Sequence, residues 1–261
     1  SKLRERIFLL STKVRSRIGC YAVSEFVKET WLLFSKTKSE DTRVIYNSVK
    51  VPKLPRERSY YKKKLSSEFK IPASRKLAIC VGRLCPYRMN DFILKSLKPI
   101  LMARRITLIF IGSEDFAVPG TSSMLENMHE FVSKNSLEDV VKFLGYRRDI
   151  YEIMAGADLL LNATLRESFG LTLVEAMAIG LTIVSSRVEA IPELVPTEGN
   201  ILYPPKDEKA FLNGVMTVVN RPESITNEIE QKNQKVGQNI MFNSEQRAKR
   251  MLRYFENLIN R

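Results

Sequence analysis

From Lys76 onward, short apolar segments alternate with longer amphipathic segments, and this alternation constrains the fold more than any other feature of the sequence. We predict strands over 77–81, 106–111, 140–144, 157–162, 181–185 and 201–203. Predicted helices lie between them, over 90–104, 121–135, 148–156 and 170–180. Short apolar strands that alternate with helices are typical of a parallel sheet covered on both faces. We therefore predict an α/β fold built on a Rossmann-like, doubly wound parallel sheet.

Further elements are predicted on both sides of this alternating region. Before it, a strand over 18–23, a helix over 25–36 and a strand over 44–47 form a strand–helix–strand unit. A Pro-rich, charged linker over 50–58 and a basic helix over 57–69 follow. After it, three helices are predicted over 207–219, 222–238 and 244–260.

The segment 164–180 joins a predicted strand to a predicted helix and carries two glutamates eight positions apart. Glu167 lies in the turn, and Glu175 lies about one and a half turns into the helix. Gly170 allows close approach of the backbone, and a helix N-terminus with unpaired N–H groups suits a phosphate. Carboxylates on both sides of that phosphate could accept hydrogen bonds from the hydroxyls of a nucleotide sugar. The same spacing also fits an ordinary strand–turn–helix with two incidental glutamates.

A second candidate segment follows the first strand of the predicted sheet. Its sequence is Gly82-Arg-Leu-Cys-Pro-Tyr-Arg88, and ligands of doubly wound sheets gather at the carboxyl ends of the strands. Arg83 and Arg88 could clamp a diphosphate through charge-assisted hydrogen bonds. On spacing alone, a basic surface loop is an equal alternative.

Both segments resemble motifs of one enzyme family. Over fourteen positions, 167–180 resembles the Glu-x7-Glu segment of retaining glycosyltransferases of the GT-B fold, in glycosyltransferase family four. The segment 82–89 resembles that family's Gly-Arg-Leu-x-Pro-x-Lys-Gly signature, with Arg88 on the lysine and Met89 where the family usually has Gly. The resemblance covers about residues 20–220. A third segment, 185–193, resembles the family's segment that ends in Pro-Glu.

The resemblance implies roles for individual residues. Glu175 accepts from the ribose hydroxyls, and Glu167 faces the donor sugar or its leaving-group side. Arg83, Arg88 and Glu167 are the implied catalytic groups, acting on the leaving diphosphate without a metal or other cofactor. The implied donor-binding residues are Gly82, Arg83, Arg88, Gly112, Tyr146, Arg147, Glu167, Ser168, Phe169, Gly170, Leu171, Thr172 and Glu175.

One implied segment departs from the family. Glu189-Ala190 stands where the family usually has Gly-Gly, and we expect the following Pro192-Glu193 to be structural. In the segment 145–147, the resemblance implies that the backbone contacts the base of the nucleotide. Uridine, guanosine and adenosine all stay open as that base.

The resemblance also implies a division of the chain. Residues 1–49 would be the truncated remnant of a second Rossmann-like, acceptor-side domain, and 50–58 the linker. Residues 59–240 would form the nucleotide-sugar-binding domain, and 241–261 a C-terminal helix that returns to the N-terminal half. The expected function is retaining transfer of a sugar from a nucleoside-diphosphate sugar to a glycan or lipid-linked acceptor. The alternative is a non-catalytic or split-subunit nucleotide-sugar-binding module that needs a partner chain for the acceptor domain.

Charge and composition bound the partners and the location. The 42 Lys and Arg residues exceed the 29 Asp and Glu residues by 13, which favours an anionic membrane surface or phosphorylated substrates. A soluble enzyme with a basic surface fits equally well. No motif supports nucleic-acid binding, so we expect none. Three cysteines without a paired motif and a single histidine predict a reducing, cytoplasmic compartment and no metal site, with peripheral membrane attachment left open.

Overall fold

The computed structural model describes residues 20–35, 37, 39–239 and 243–259. The part of the predicted acceptor-side remnant before Cys20 lies outside these residues. The described chain opens with strand β1 (Cys20–Ala22), helix α1 (Glu25–Phe34) and strand β2 (Thr42–Val44). The two strands pair in parallel, so the predicted strand–helix–strand unit is confirmed.

One boundary in this unit was predicted wrongly. The strand predicted over 44–47 instead spans 42–44, because its register against β1 pairs Thr42 with Cys20. Beyond Val44 only one further backbone bond continues the pairing, from the Ile45 N–H to the Ala22 carbonyl. The apolar character of the following residues had suggested a longer strand.

A parallel sheet of six strands forms the centre of the remaining chain. Helix α2 (Arg58–Phe69) precedes it. The strands are β3 (Lys76–Val81), β4 (Ile106–Ile111), β5 (Val141–Phe143), β6 (Leu159–Asn162), β7 (Thr182–Ser186) and β8 (Ile201–Tyr203). Their spatial order is β5-β4-β3-β6-β7-β8. This is the order of the doubly wound Rossmann fold, so the predicted fold class is confirmed.

Helices cover both faces of the sheet, which explains why strands such as β4 and β7 are buried at every position rather than at alternate positions. One face carries α3 (Asn90–Ser96), α4 (Lys98–Met102), α5 (Thr121–Lys134) and, later in the chain, α9 (Glu208–Val219). The other carries α2 with α6 (Ile150–Gly156), α7 (Leu171–Ile179), α8 (Ile191–Leu194) and α10 (Glu223–Gly237). Every residue of β4 is buried.

The structure differs from the predicted helices in two places. The helix predicted over 90–104 is two helices, α3 and α4, which meet at Leu97. Pro99 explains the break, because it lacks the backbone N–H that a continuous helix needs. The short helix α8 was not predicted, since its four residues are too few for a periodic pattern.

The last helix, α11 (Ser244–Ile259), packs against the N-terminal unit. The Tyr254 hydroxyl donates to the carbonyls of Cys20 and Asp41, at 2.9 and 3.2 Å. None of the helices in the described part of the chain combines the length and hydrophobicity that a membrane span requires.

Candidate functional site

The order of the strands marks one place where a ligand crevice is expected. β3 and β6 are neighbours, yet the chain leaves β3 towards β4 and leaves β6 towards β7, on the opposite side. In open α/β sheets, ligands bind at such a switch point, outside the carboxyl ends of the strands. Gly82 and Arg83 follow β3 directly, and the 164–170 turn follows β6. The two predicted motifs therefore meet at the switch point.

Glycines end the three strands on one side of the crevice. Gly82, Gly112 and Gly145 have φ values of +139°, +142° and +61°. The Gly82 N–H donates to the Ile111 carbonyl at 2.9 Å, and the Gly112 N–H donates to the Gly145 carbonyl at 2.8 Å. A Cβ atom built on Gly112 would lie 1.9 Å from the Gly82 carbonyl oxygen. Only glycine fits at position 112, because the backbone at Gly82 lies too close to leave room for a side chain.

Arg83 lies at the mouth of the crevice, with its side chain 59% exposed. Its guanidinium pairs with the Asp115 carboxylate and donates to the Tyr87 hydroxyl at 2.8 Å. Asp115, in the turn after β4, was not among the predicted site residues. Arg83 therefore has a counterion that an incoming diphosphate would have to displace or share.

Arg88 joins the two motifs directly. Its guanidinium donates to the Glu167 carboxylate at 2.8 Å, and the two side chains are 26% and 13% exposed. The backbones are also linked, since the Leu165 N–H donates to the Tyr87 carbonyl at 2.9 Å. The structure thus brings together two predicted catalytic residues that lie 79 positions apart.

Two buried donors line the crevice without a partner among the described residues. They are the Arg88 Nε and the Asn90 Nδ2 atoms, and the whole Asn90 residue is 6% exposed. Both residues border a cavity of about 10 Å³, room for about one water molecule, together with Gly82 and Arg83. Buried donors are normally paired, because an unpaired donor costs about 1–3 kcal/mol. Acceptor oxygens of a ligand or a water molecule would remove that cost, and Asn90 is a site residue that the sequence analysis missed.

The start of α7 supplies further donors. Gly170 precedes the helix with φ +90°, and no side chain caps the first N–H groups. Those groups, on Leu171 and its successors, carry the positive end of the helix dipole and suit an anion. The turn before the helix is held from outside by Ser24, whose hydroxyl donates to the Ser168 carbonyl at 2.8 Å. Phe169 is buried and packs in the core beneath the sheet.

Glu175, one turn into α7, is held by Tyr151, a residue that no sequence motif singled out. The Tyr151 hydroxyl of α6 donates to the Glu175 carboxylate at 3.0 Å. Burial raises the pKa of Glu175, and the hydrogen bond from Tyr151 opposes that rise. Burial and the neighbouring carboxylate raise the pKa of Tyr151 to about 12, so it stays a donor near neutral pH. A half-buried carboxylate kept in this way can accept from ligand hydroxyls.

The segment after β5 holds two predicted site residues, Tyr146 and Arg147. Tyr146 is 75% exposed. The Arg147 guanidinium is bound by Asp149, at 2.7 and 2.8 Å, and by Glu68, at 2.8 Å. These bonds raise the pKa of Arg147 and lower that of Asp149. The Arg147 side chain is therefore engaged within the protein, and contact of the backbone at 145–147 with a base stays a prediction.

Glu193 fastens the N-terminal unit beside the crevice. Its carboxylate accepts from the backbone N–H groups of Glu25 and Phe26, at 2.9 and 3.3 Å, and from the Tyr46 hydroxyl. The Tyr46 ring also lies 6.1 Å from that of Phe169, centroid to centroid. The structural role expected for Glu193 is confirmed.

A larger cavity opens at the opposite end of the sheet. Its volume is about 670 Å³, and the linker, the C-terminal end of α7 and α10 form its walls. None of the predicted site residues lines it. The amino ends of the strands, where it lies, are not where ligands of this topology bind.

Comparison with known proteins identifies one family model over residues 75–221, described as glycosyl transferases group 1. The chain is similar to N-acetyl-alpha-D-glucosaminyl L-malate synthase of Bacillus anthracis, with 29% identity over 65% of this chain and 41% of that protein. It is also similar to the phosphatidylinositol N-acetylglucosaminyltransferase GPI3 subunit of Saccharomyces cerevisiae, with 28% identity over 70% of this chain and 38% of that protein. The chain thus spans about two fifths of the length of these relatives.

Among solved structures, the fold is similar to that of Anabaena HepE, which was solved in complex with UDP and glucose. The TM-score is 0.82 at 21% identity, and the match covers 98% of this chain and 67% of that one. At this level of identity the likeness concerns the fold alone. It includes the N-terminal unit as well as the six-stranded sheet.

Proposed function

The chain belongs to the group 1 glycosyl transferases, and from that premise we propose that its crevice binds a uridine-diphosphate sugar and that the protein transfers the sugar to an acceptor hydroxyl. The single observation that supports this most strongly is the contact between Arg88 and Glu167 across the switch point. It places a guanidinium that can bind phosphate next to a carboxylate that can accept from sugar hydroxyls, beside a helix N-terminus that no side chain caps. Such a site matches a ligand that has phosphate next to a sugar.

In this proposal the diphosphate lies over the start of α7. The N–H groups after Gly170 donate to it, and Arg83 and Arg88 approach from the loop after β3. When the bond between the sugar and the diphosphate breaks, negative charge grows on the departing phosphate. Fixed donors and cations aimed at that charge are commonly the largest source of catalysis. Arg88 is already held in place by Glu167, so little reorganisation is needed.

The two glutamates bind the two ends of the donor. Glu175, oriented by Tyr151, accepts from the ribose hydroxyls, while Glu167 accepts from hydroxyls of the sugar. The carboxyl ends of β4 and β5 then lie on the side of the base, where the backbone around Gly145 contacts it. Uridine is proposed because the structurally similar HepE was solved with UDP.

Retention of the anomeric configuration is proposed from the Glu-x7-Glu resemblance, as is transfer without a metal. A glycan or lipid-linked acceptor is proposed from the relatives, one of which is named a phosphatidylinositol N-acetylglucosaminyltransferase subunit. The net charge of +13 supports the proposal that the protein binds peripherally to an anionic membrane surface on the cytoplasmic side.

A second candidate is a nucleotide-sugar-binding module that transfers sugar only with a partner chain. One observation favours it: among the described residues, β1 and β2 form a two-stranded sheet, and Leu33 and Phe34 of α1 are 80% and 75% exposed. A sheet of two strands is marginal by itself, and large exposed apolar side chains indicate an interaction surface. In this case donor binding is kept and transfer by the chain alone is absent.

Calorimetric titration with UDP, GDP and ADP, each beside its nucleoside, tests the proposal. We expect micromolar binding of UDP, weak binding of uridine, and weaker binding of GDP and ADP. Glu175→Ala should weaken UDP and uridine alike, because both contain the ribose. Equal affinity of the variant and the parent chain for UDP would refute the ribose assignment, and failure of all three diphosphates to bind the folded chain would refute the proposed site.

A further inference from the structure

One residue beside the turn that carries Glu167 has a backbone conformation that glycine would adopt more easily. Glu189, between β7 and α8, has φ +45°, in the left-handed region that favours glycine. The resembled family usually has glycine at this position. Side chains held in such conformations cluster at binding and catalytic sites, where the surrounding structure maintains them. The strain therefore calls for a function of the side chain.

The Glu189 side chain is bound to the turn that carries Glu167. Its carboxylate accepts from the Glu167 N–H, and the following Ala190 N–H donates to the Glu167 carbonyl at 3.2 Å. Both backbone polar groups of Glu167 are therefore fixed by this pair of residues. Glu189 consequently lies immediately beside the residue proposed to face the donor sugar.

The Glu189 carboxylate also keeps accepting capacity and charge. Only Oε2 is used in the bond to Glu167, and the described residues supply no partner to Oε1. Glu167 is neutralised by Arg88, whereas no Lys or Arg among the described residues forms a salt bridge with Glu189. Among the described residues, Glu189 thus has an acceptor atom without a protein partner and a charge without a salt bridge, next to the backbone of Glu167.

We infer that Glu189 is a second acceptor of the donor-sugar subsite, and that it selects neutral sugars over sugars that carry a carboxylate. The inference rests on the proposed function. A neutral hexose offers hydroxyl donors that Oε1 can accept. A uronic acid brings a second negative charge close to an unneutralised one, which is unfavourable in a partly buried site.

The test is titration of the chain with UDP, UDP-glucose and UDP-glucuronic acid, two donors that differ only at the sugar's C6. We expect the parent chain to bind UDP-glucose about tenfold more tightly than UDP-glucuronic acid, a ratio equivalent to about 1.4 kcal/mol. Glu189→Gln keeps an oxygen that accepts from the Glu167 N–H but removes the charge. This variant should bind UDP as the parent does, while the ratio between the two donors falls to about twofold or less.

Glu198→Gln is the matched control, because it removes the same charge from an exposed loop at the opposite end of the sheet. It should leave the ratio unchanged. A ratio that Glu189→Gln also leaves unchanged would show that Glu189 only holds the turn, and would overturn the inference. If the parent chain binds UDP but binds UDP-glucose and UDP-glucuronic acid with equal affinity, the inference alone is overturned. If the chain does not bind UDP, the proposed function is overturned and this inference with it.

Discussion

Gly112→Ala is the substitution whose effect can be worked out most completely from the structure. The new Cβ would lie 1.9 Å from the Gly82 carbonyl oxygen, whereas real Cβ atoms essentially never come within 3.0 Å of another heavy atom. The strands would have to separate by about 1.1 Å, the difference between these two distances. That movement opposes the bond from the Gly82 N–H to the Ile111 carbonyl, which is 2.9 Å long.

Three costs add up for this variant. Overpacking costs about 1–3 kcal/mol, and a side chain at φ +142° costs about 1–3 kcal/mol. Loss of a backbone hydrogen bond costs about 1 kcal/mol more. We expect Gly112→Ala to lower the free energy of unfolding by about 3–7 kcal/mol, the sum of these three costs. If the variant still folds, UDP binding should weaken as well, because Gly82, which the new side chain would displace, lines the crevice.

Urea unfolding followed by circular dichroism measures the loss, with Gly145→Ala as the control. Gly145 also has a positive φ, +61°, but a Cβ atom there meets nothing within 4 Å. It should cost about 1–2 kcal/mol, the price of the left-handed conformation alone. Similar losses for the two variants would refute the claim that the close approach of Gly82 and Gly112 sets the geometry of the crevice.

Three further predictions concern two residues of the proposed binding site and the contact of Glu193 with the N-terminal unit. Arg83→Ala should weaken UDP binding by about 1.5–3 kcal/mol, the range for a hydrogen bond to a charged group, and leave uridine binding unchanged; equal losses in calorimetry would remove Arg83 from the phosphate site. Glu193→Ala leaves the α1 N–H groups and Tyr46 without their acceptor, so urea unfolding should show a loss of about 2–4 kcal/mol, and Tyr46→Phe a smaller one. Glu175→Gln should abolish tight UDP binding yet raise the melting temperature at pH 7. Burial raises the pKa of Glu175 in the folded chain above its value in the unfolded chain. Between these two pKa values the folded chain holds more protons, so its stability falls as the pH rises through this range and stays lower above it. The gain from Glu175→Gln should therefore shrink as the pH falls towards about 4.3, the ordinary pKa of Glu; a gain independent of pH would contradict the burial argument.

The sheet could be predicted because its central strands β3, β4 and β6 are largely apolar. In β4, helices on both faces bury every residue, and all of them except Thr107 are apolar. Boundaries were less well predicted where pairing rather than hydrophobicity decides them. β2 ends at Val44 because its neighbour ends there, which no local pattern could indicate.

For the site, the motifs predicted which residues gather but not what holds them. The contact of Arg88 with Glu167 follows from two motifs at the ends of neighbouring strands. Asp115, Tyr151 and Glu189 are distant in sequence from the residues they bind, and their contacts arise only once the strands are assembled. Of these three, Glu189 carried a signal in advance, because it stands where glycine was expected.

A crystal structure of the chain with UDP would show whether a nucleoside diphosphate binds at the switch point between β3 and β6. We predict that the diphosphate lies on the N–H groups after Gly170, within hydrogen-bond distance of Arg83 and Arg88, and that the ribose hydroxyls donate to Glu175. UDP bound elsewhere, for example in the cavity of about 670 Å³ at the amino ends of the strands, would refute the proposed site.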